Sequence, residues 1–260
     1  MNILKLPKHK SVLSDLAYIA LNVGLAIALL AIVSAVQSPL PAFLLVLLSK
    51  WRILAVRPHF WFKNLRSNLV DVIVGISVVV LLYAASDSFA LQLMITILFA
   101  AWLLFIKPRS KRSYVAFQSG AATFLGVTAL FMVSYEWPAT AVIAAMWLIG
   151  YATARHILSH YKEADRNLYA MIWGLVVAEI GWLGYHWAFA YNLPGFSGIE
   201  LSQTALIVLI LGFLAERIYA SYHQNEGVIR SSDVMLPVVF STSVILVVLL
   251  FFNTVGTGAL

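Results

Sequence analysis

Long apolar runs, separated by short polar or Pro/Gly-containing joints, follow one another from about residue 13 to residue 252. A helix needs roughly 20 such residues to cross a bilayer. The runs are continuous rather than alternating apolar and polar, which argues against a membrane β-barrel. Backbone polar groups in lipid must bond within their own segment, so the runs are expected to be helices. Nine spans are read, at about 13–36, 40–56, 69–86, 89–106, 115–135, 138–157, 168–191, 201–222 and 234–252. The predicted fold class is therefore all-α, a polytopic transmembrane helical bundle of about nine spans, with residues 1–260 forming a single integral membrane domain. No soluble domain, low-complexity tract or internal repeat is visible.

Composition agrees with that pattern. Apolar residues make up 62% of the chain, charged residues 11%, and the mean hydropathy is +0.91. A soluble domain is nearer half apolar and a quarter charged, so an ordinary soluble enzyme and a disordered chain are both excluded. There is no cysteine, which removes disulfides, thiolate catalysis and cysteine-ligated metals from consideration.

Charge placement predicts the direction of threading. All 17 Lys and Arg fall in residues 1–12, 50–68, 107–114, 155–167 and 217–233. The intervening joints carry none. Lys and Arg stay on the cytoplasmic side, so the N-terminus is expected inside and the C-terminus outside, in a cell inner (cytoplasmic) membrane. The formal +6 then reads as a grip on anionic lipid headgroups of the cytoplasmic face. Binding of nucleic acid is not expected, because the basic residues are spread over five segments rather than gathered in one domain.

Two spans need argument. The first follows Lys5, Lys8 and Lys10, with Val33-Ser34-Ala35 as a nominal cleavage site. Its apolar run from Leu16 to Val36 exceeds a signal-peptide core of roughly 7–15 residues, so a retained span is expected. The second has only Leu40–Ser49 free of charge. Ending it there would move Arg57, Lys63 and Arg66 to the other side, so the helix is expected to continue to about Val56, with Lys50 and Arg52 snorkelling to the interface.

Small residues mark expected close contacts. Gly174, Ala178, Gly181 and Tyr185 share one face of the seventh helix, and Ala141, Ala144 and Ala145 offer something similar on the sixth. Glu179 sits near the middle of span seven. A carboxylate at that depth costs about 2.5–3.5 kcal/mol on insertion scales, so it is expected to face the bundle. His186 lies seven residues on along the same face, with Trp182 nearly between. The three are candidates for a proton- or substrate-handling track; the plainer reading is a hydrogen bond to a neighbouring helix.

The segment from Lys50 to Arg66 interleaves Lys50, Arg52, Arg57, Lys63 and Arg66 with Trp51, Phe60, Trp61 and Phe62. Such a mixture suits the headgroup zone. It reads as an interfacial helix or as a site for an anionic lipid or lipid-linked phosphate, with His59 and, from the later basic loop, Arg155 as further candidates. Lys50, Arg57 and Pro58 in the pattern Lys-x6-Arg-Pro resemble the first motif of the type 2 phosphatidic acid phosphatase family. That resemblance implies basic residues holding a phosphate for attack by a histidine. It covers the first motif only: Gln118-Ser119-Gly120-Ala121 replaces Pro-Ser-Gly-His, and Arg155, His160 and Asp165 are one residue out of the family's spacing.

Other patterns are shorter. His156, His160 and Glu163 fall at i, i+4, i+7 and can in principle bind zinc or iron, but Arg155, Lys162 and Arg166 beside them repel cations, so no metal is expected. Gly195-Phe196-Ser197-Gly198 is similar to the nucleophile motif of rhomboid proteases. A histidine on a later helix at that depth is missing, so a Pro-Gly turn is the expected reading. Asp71 and Asp233 are placed at or near first helical turns, where the dipole favours acids, and Asp15 is read likewise; Glu216 beside Arg217 is read as interfacial. No P-loop, dinucleotide fingerprint or late-span lysine is present, so no cofactor is expected. Three function classes stay open. One is a transporter or permease-like protein using Glu179 and His186. Another is a non-catalytic scaffold or subunit of a membrane complex, with a membrane-protein partner or as a homo-oligomer. The third is an enzyme acting on a phosphorylated lipid at the cytoplasmic face.

Overall fold

A computed structural model describes residues 12–51, 55, 57–187, 190–192 and 200–251. Nine α-helices account for nearly all of them: α1 Val12–Ala35, α2 Leu40–Leu48, α3 Trp61–Ala84, α4 Phe89–Ala101, α5 Arg112–Val133, α6 Ala139–His160, α7 Arg166–Trp187, α8 Gln203–Gln224 and α9 Ser231–Phe251. A 3-10 turn, Pro58–Phe60, leads into α3, and a π-helical segment, Trp102–Ile106, completes α4. Between α7 and α8 two short strands, β1 Ala190–Asn192 and β2 Glu200–Ser202, pair antiparallel with Tyr191 opposite Leu201. Span seven thus ends at Trp187 and not at residue 191.

Eight of the helices are long and apolar enough to span a membrane. The second expected span is the exception. It ends at Leu48, not at Val56, and its nine residues rise only about 13.5 Å. Two side chains explain the stop. The Ser49 hydroxyl donates to the Val46 carbonyl at 2.6 Å, competing with the helix ladder. The Lys50 ammonium turns inward to Asp71 at 3.1 Å instead of snorkelling outward. Arg52 and the rhomboid-like stretch 195–198 lie outside the described residues.

The alternation of basic and non-basic joints is realised in three dimensions. At one end, Tyr83 Oη lies 2.8 and 2.7 Å from the carbonyl oxygens of Val36 and Ser38, and Tyr185 Oη donates to Trp137 O at 2.6 Å. At the other end, Lys50 and Lys107 meet on Asp71, Arg155 donates to Arg66 O and Asn167 Oδ1, and Arg112 meets Glu216. The described basic segments therefore share one end of the bundle.

Two apolar cores fill the interior. Leu29, Val46, Val74, Leu82, Leu91 and Trp102 join α1 to α4. Val127, Val142, Met146, Val177 and Val208 join α5 to α8. The closest approach is α6 on α7, as the small residues of α7 predict. A Cβ on Gly150 would sit 2.8 Å from the Val177 side chain and 3.1 Å from the Gly174 Cα, and one on Gly174 would sit 3.0 Å from the Trp147 carbonyl. On α6 the contact runs along Met146, Trp147 and Gly150; Ala144 is exposed. α7 packs along α6 and touches α8 only lightly. The π segment solves a local problem. Lys107 N donates to Trp102 O at 2.9 Å, but the next donor in that pattern is Pro108, which has no N–H. The Leu103 carbonyl accepts instead from Tyr18 Oη of α1 at 3.0 Å.

Candidate functional site

A cavity of about 750 Å³ lies between α5, α6, α7 and α8. That volume falls within the roughly 300–1,000 Å³ of small-molecule pockets. Its wall is apolar: Phe117, Phe124, Ile157, Trp173, Leu209 and Phe213 contribute. Small residues make the space. A Cβ on Gly212 would find nothing nearer than the Trp173 ring at 3.9 Å. The polar side chains are concentrated towards the basic end, where Glu216, Arg217 and Tyr219 of α8 reach the rim.

Glu216 is the centre of that rim. Its side chain is only 7% exposed. Arg112 Nε and Nη2 donate to its Oε1 at 3.1 and 2.9 Å, and Tyr161 Oη donates to the same oxygen at 3.1 Å. Arg217 approaches Oε2 at 3.7 Å, half exposed, with its guanidinium over the Phe213 ring. Burial and the Glu216 carboxylate push the Tyr161 hydroxyl up to about 12. Beside it Tyr219 Oη donates to Glu163, and that hydrogen bond holds the Glu163 carboxyl below its usual value. Glu216 is thus buried and paired across helices as well as lying beside Arg217. An acid inside an otherwise apolar run was its only sequence signal.

A second polar seam joins α2, α3, α4, α5 and α6. Asp71 accepts from Lys50 at 3.1 Å and from Lys107 at 3.3 Å. It lies ten residues into α3, because α3 begins at Trp61; the first-turn expectation fails there. Asp233 does sit in the first turn of α9, where Ser221 and Asn225 donate to it. Burial lowers the Lys50 ammonium to about 8, against the pull of Asp71 and with the push of Lys107. Next to this seam Gln118 Nε2 donates to Ile106 O at 2.7 Å and Arg109 O at 3.0 Å, capping the end of the π segment, while its Oε1 pairs with His156 Nε2 at 2.7 Å.

The sequence candidates are distributed differently from expectation. Glu179 is exposed on the outer face of α7, as are Trp182 and His186. The three do share a strip, with the Trp182 and His186 rings 5.1 Å apart, but the strip faces away from the bundle. At about 100° per residue, Glu179 points roughly 140° around the helix from Gly174, whose face is committed to α6. Glu179 borders a shallow groove with Ile143, Leu175 and Leu183. Arg57, His59, Lys63 and Arg66 are exposed at the basic end, and the cavity wall contains none of them and neither Lys50 nor Arg155. His156 is engaged by Gln118, His160 is exposed against the Tyr161 ring, and Glu163 is engaged by Tyr219.

No match was found. Neither a protein-family model, nor a curated protein, nor a solved structure is similar to this chain.

Proposed function

We propose that this protein is a multi-pass membrane protein that binds a phospholipid-like amphiphile, with the apolar chain in the α5–α8 cavity and the phosphate at Arg217. The observation that carries this reading is the coupling of a roughly 750 Å³ apolar space to a charged rim at one end. Apolar chains gain about 0.8 kcal/mol for each CH₂ buried. The rim supplies a guanidinium suited to phosphate oxygens, and Glu216 and Arg112 hold each other so that neither presents an unpaired charge to the tail. Placing the basic segments in the cytoplasm puts the rim at the inner leaflet. Glu179 takes no part in this reading, so it does not describe a transport path along α7.

The test uses the full chain purified in mild detergent, with bound lipid extracted and weighed against protein. Wild type is expected to retain phospholipid. Gly212→Leu, which narrows the cavity from a position where an added Cβ meets only the Trp173 ring, is expected to lose most of it, and Arg217→Ala to lose anionic lipid selectively. Equal retention by Gly212→Leu in a monodisperse preparation overturns the proposal.

A further inference from the structure

The seam at Asp71 carries one positive charge in excess. Lys50, just past α2, and Lys107, just past the π segment, direct their ammoniums to the same carboxylate oxygen, Asp71 Oδ2, at 3.1 and 3.3 Å. Among the described residues no cation sits on the other oxygen, Oδ1. The two lysine side chains are only 12% and 30% exposed, so water screens their mutual repulsion only in part. Burial lowers the Lys50 ammonium to about 8, and Lys107 adds to that fall against the pull of Asp71. An ammonium has three N–H donors. Asp71 engages at most one from each lysine, and among the described residues no other acceptor takes the rest.

Position matters as much as charge. Asp71 lies three residues, about 4.5 Å along the axis, beyond Asn68, where the mostly polar stretch 63–68 of α3 ends. From Val72 onward the helix is almost wholly apolar. In a bilayer the cluster therefore sits where hydrocarbon gives way to headgroups. Leu48 and Trp51 on either side of Lys50, and Phe105 near Lys107, are exposed. Exposed apolar side chains around half-buried cations suit that lipid boundary.

We propose that Lys50 and Lys107 bind the phosphodiester of an anionic membrane phospholipid, with Asp71 holding the two ammoniums side by side. The charge selects the group, because one negative charge neutralises the excess. The donors select its shape, because N–H groups converging from two chains suit an anion with several oxygens, and lysine serves phosphate as a point charge. The level in the membrane selects the source, since lipid phosphates lie at that boundary. The site is separate from the α5–α8 cavity, whose wall includes none of the three residues, and it does not rest on the reading given for that cavity.

The test uses the full chain carrying Arg217→Ala, so that the cavity rim contributes no phosphate contact. It is reconstituted in nanodiscs of phosphatidylcholine with a minority of phosphatidylglycerol and re-extracted into mild detergent, and the retained lipids are counted by native mass spectrometry. Phosphatidylglycerol is expected to be enriched over its share of the disc. Adding Lys107→Met, which leaves Lys50 and Asp71 as a neutral pair, is expected to reduce that enrichment about fivefold, since a lysine near the membrane surface is worth about 1 kcal/mol toward anionic lipid. Lys107→Arg, which keeps the charge, is expected to keep the enrichment, and Asp71→Asn, which frees both ammoniums, to raise it. Lys63→Met removes an exposed cation at the same end and is expected to leave it unchanged. Enrichment that survives Lys107→Met, or that Lys63→Met lowers equally, overturns the proposal. Inorganic phosphate added to the lipid-free protein in detergent is expected to leave its melting temperature unchanged; a rise that Lys107→Met abolishes assigns the site to a soluble anion and overturns the lipid as its occupant.

Discussion

The ion pair at the cavity rim offers the sharpest test of how this bundle is held together. Glu216 Oε1 accepts from Arg112 twice and from Tyr161 once. Glu216→Ala leaves a guanidinium and a phenol without their acceptor. Removing one member of a fully buried pair costs about 3–5 kcal/mol. The Arg112 side chain keeps 32% exposure, so water recovers part of the loss and about 2–3 kcal/mol is expected. Arg112→Ala strands the acid instead and falls in the same range. The assay is chemical denaturation in bicelles of both single variants and the double variant. Because both act on one contact, the double variant is expected to lose less than the sum of the singles, by about 1–2 kcal/mol. Additivity within about 0.5 kcal/mol would refute the claim that this pair joins α5 to α8.

Two further outcomes follow from other parts of the molecule. Lys50 holds its proton less tightly folded, at about 8, than unfolded, near 10.5. Between those values the unfolded chain binds more protons, so stability rises with pH; denaturation midpoints from pH 7.5 to 10.5 are expected to show that rise in wild type and not in Lys50→Met. Gly150→Ala pushes a methyl group into Val177 and the Gly174 backbone and is expected to cost about 1–3 kcal/mol. Gly24→Ala meets nothing within 4 Å and is expected to gain up to about 1 kcal/mol from helix propensity; equal effects at the two sites in thermal melts would count against the tight α6–α7 seam.

Much of the architecture is legible in the order of apolar runs and cations. The joints that lack Lys and Arg gather at one end because each long helix runs from one end to the other and the short α2 leads back from the Val36–Ser38 joint towards Lys50 at the basic end. What escapes that reading is set by partners distant in sequence. Nothing near Lys50 tells that Asp71 and Lys107 meet it, and without them the second helix reads as longer than it is. Glu179 shows the same limit differently. Its helix also carries Gly174, Ala178 and Gly181, and one face cannot serve both the small residues and the acid. Recognising that conflict was within reach of the sequence, since both positions follow from 100° per residue. The cavity was not, because it depends on how lightly α7 and α8 touch.

The glycine seam between α6 and α7 has a mechanical meaning. With Gly150 against Val177 and Gly174 against Trp147, there is no slack for one helix to slide over the other. The two behave as a single plank, joined by the five-residue turn 161–165. A guest in the cavity therefore meets a fixed wall on the α6–α7 side, while the opposite walls, α5 and α8, are tied to each other by Arg112 and Glu216. Gln203 Nε2 of α8 is bonded to Val248 O of α9 at 2.9 Å, so the last helix is fastened to that opposite wall and the load on it is shared by three helices.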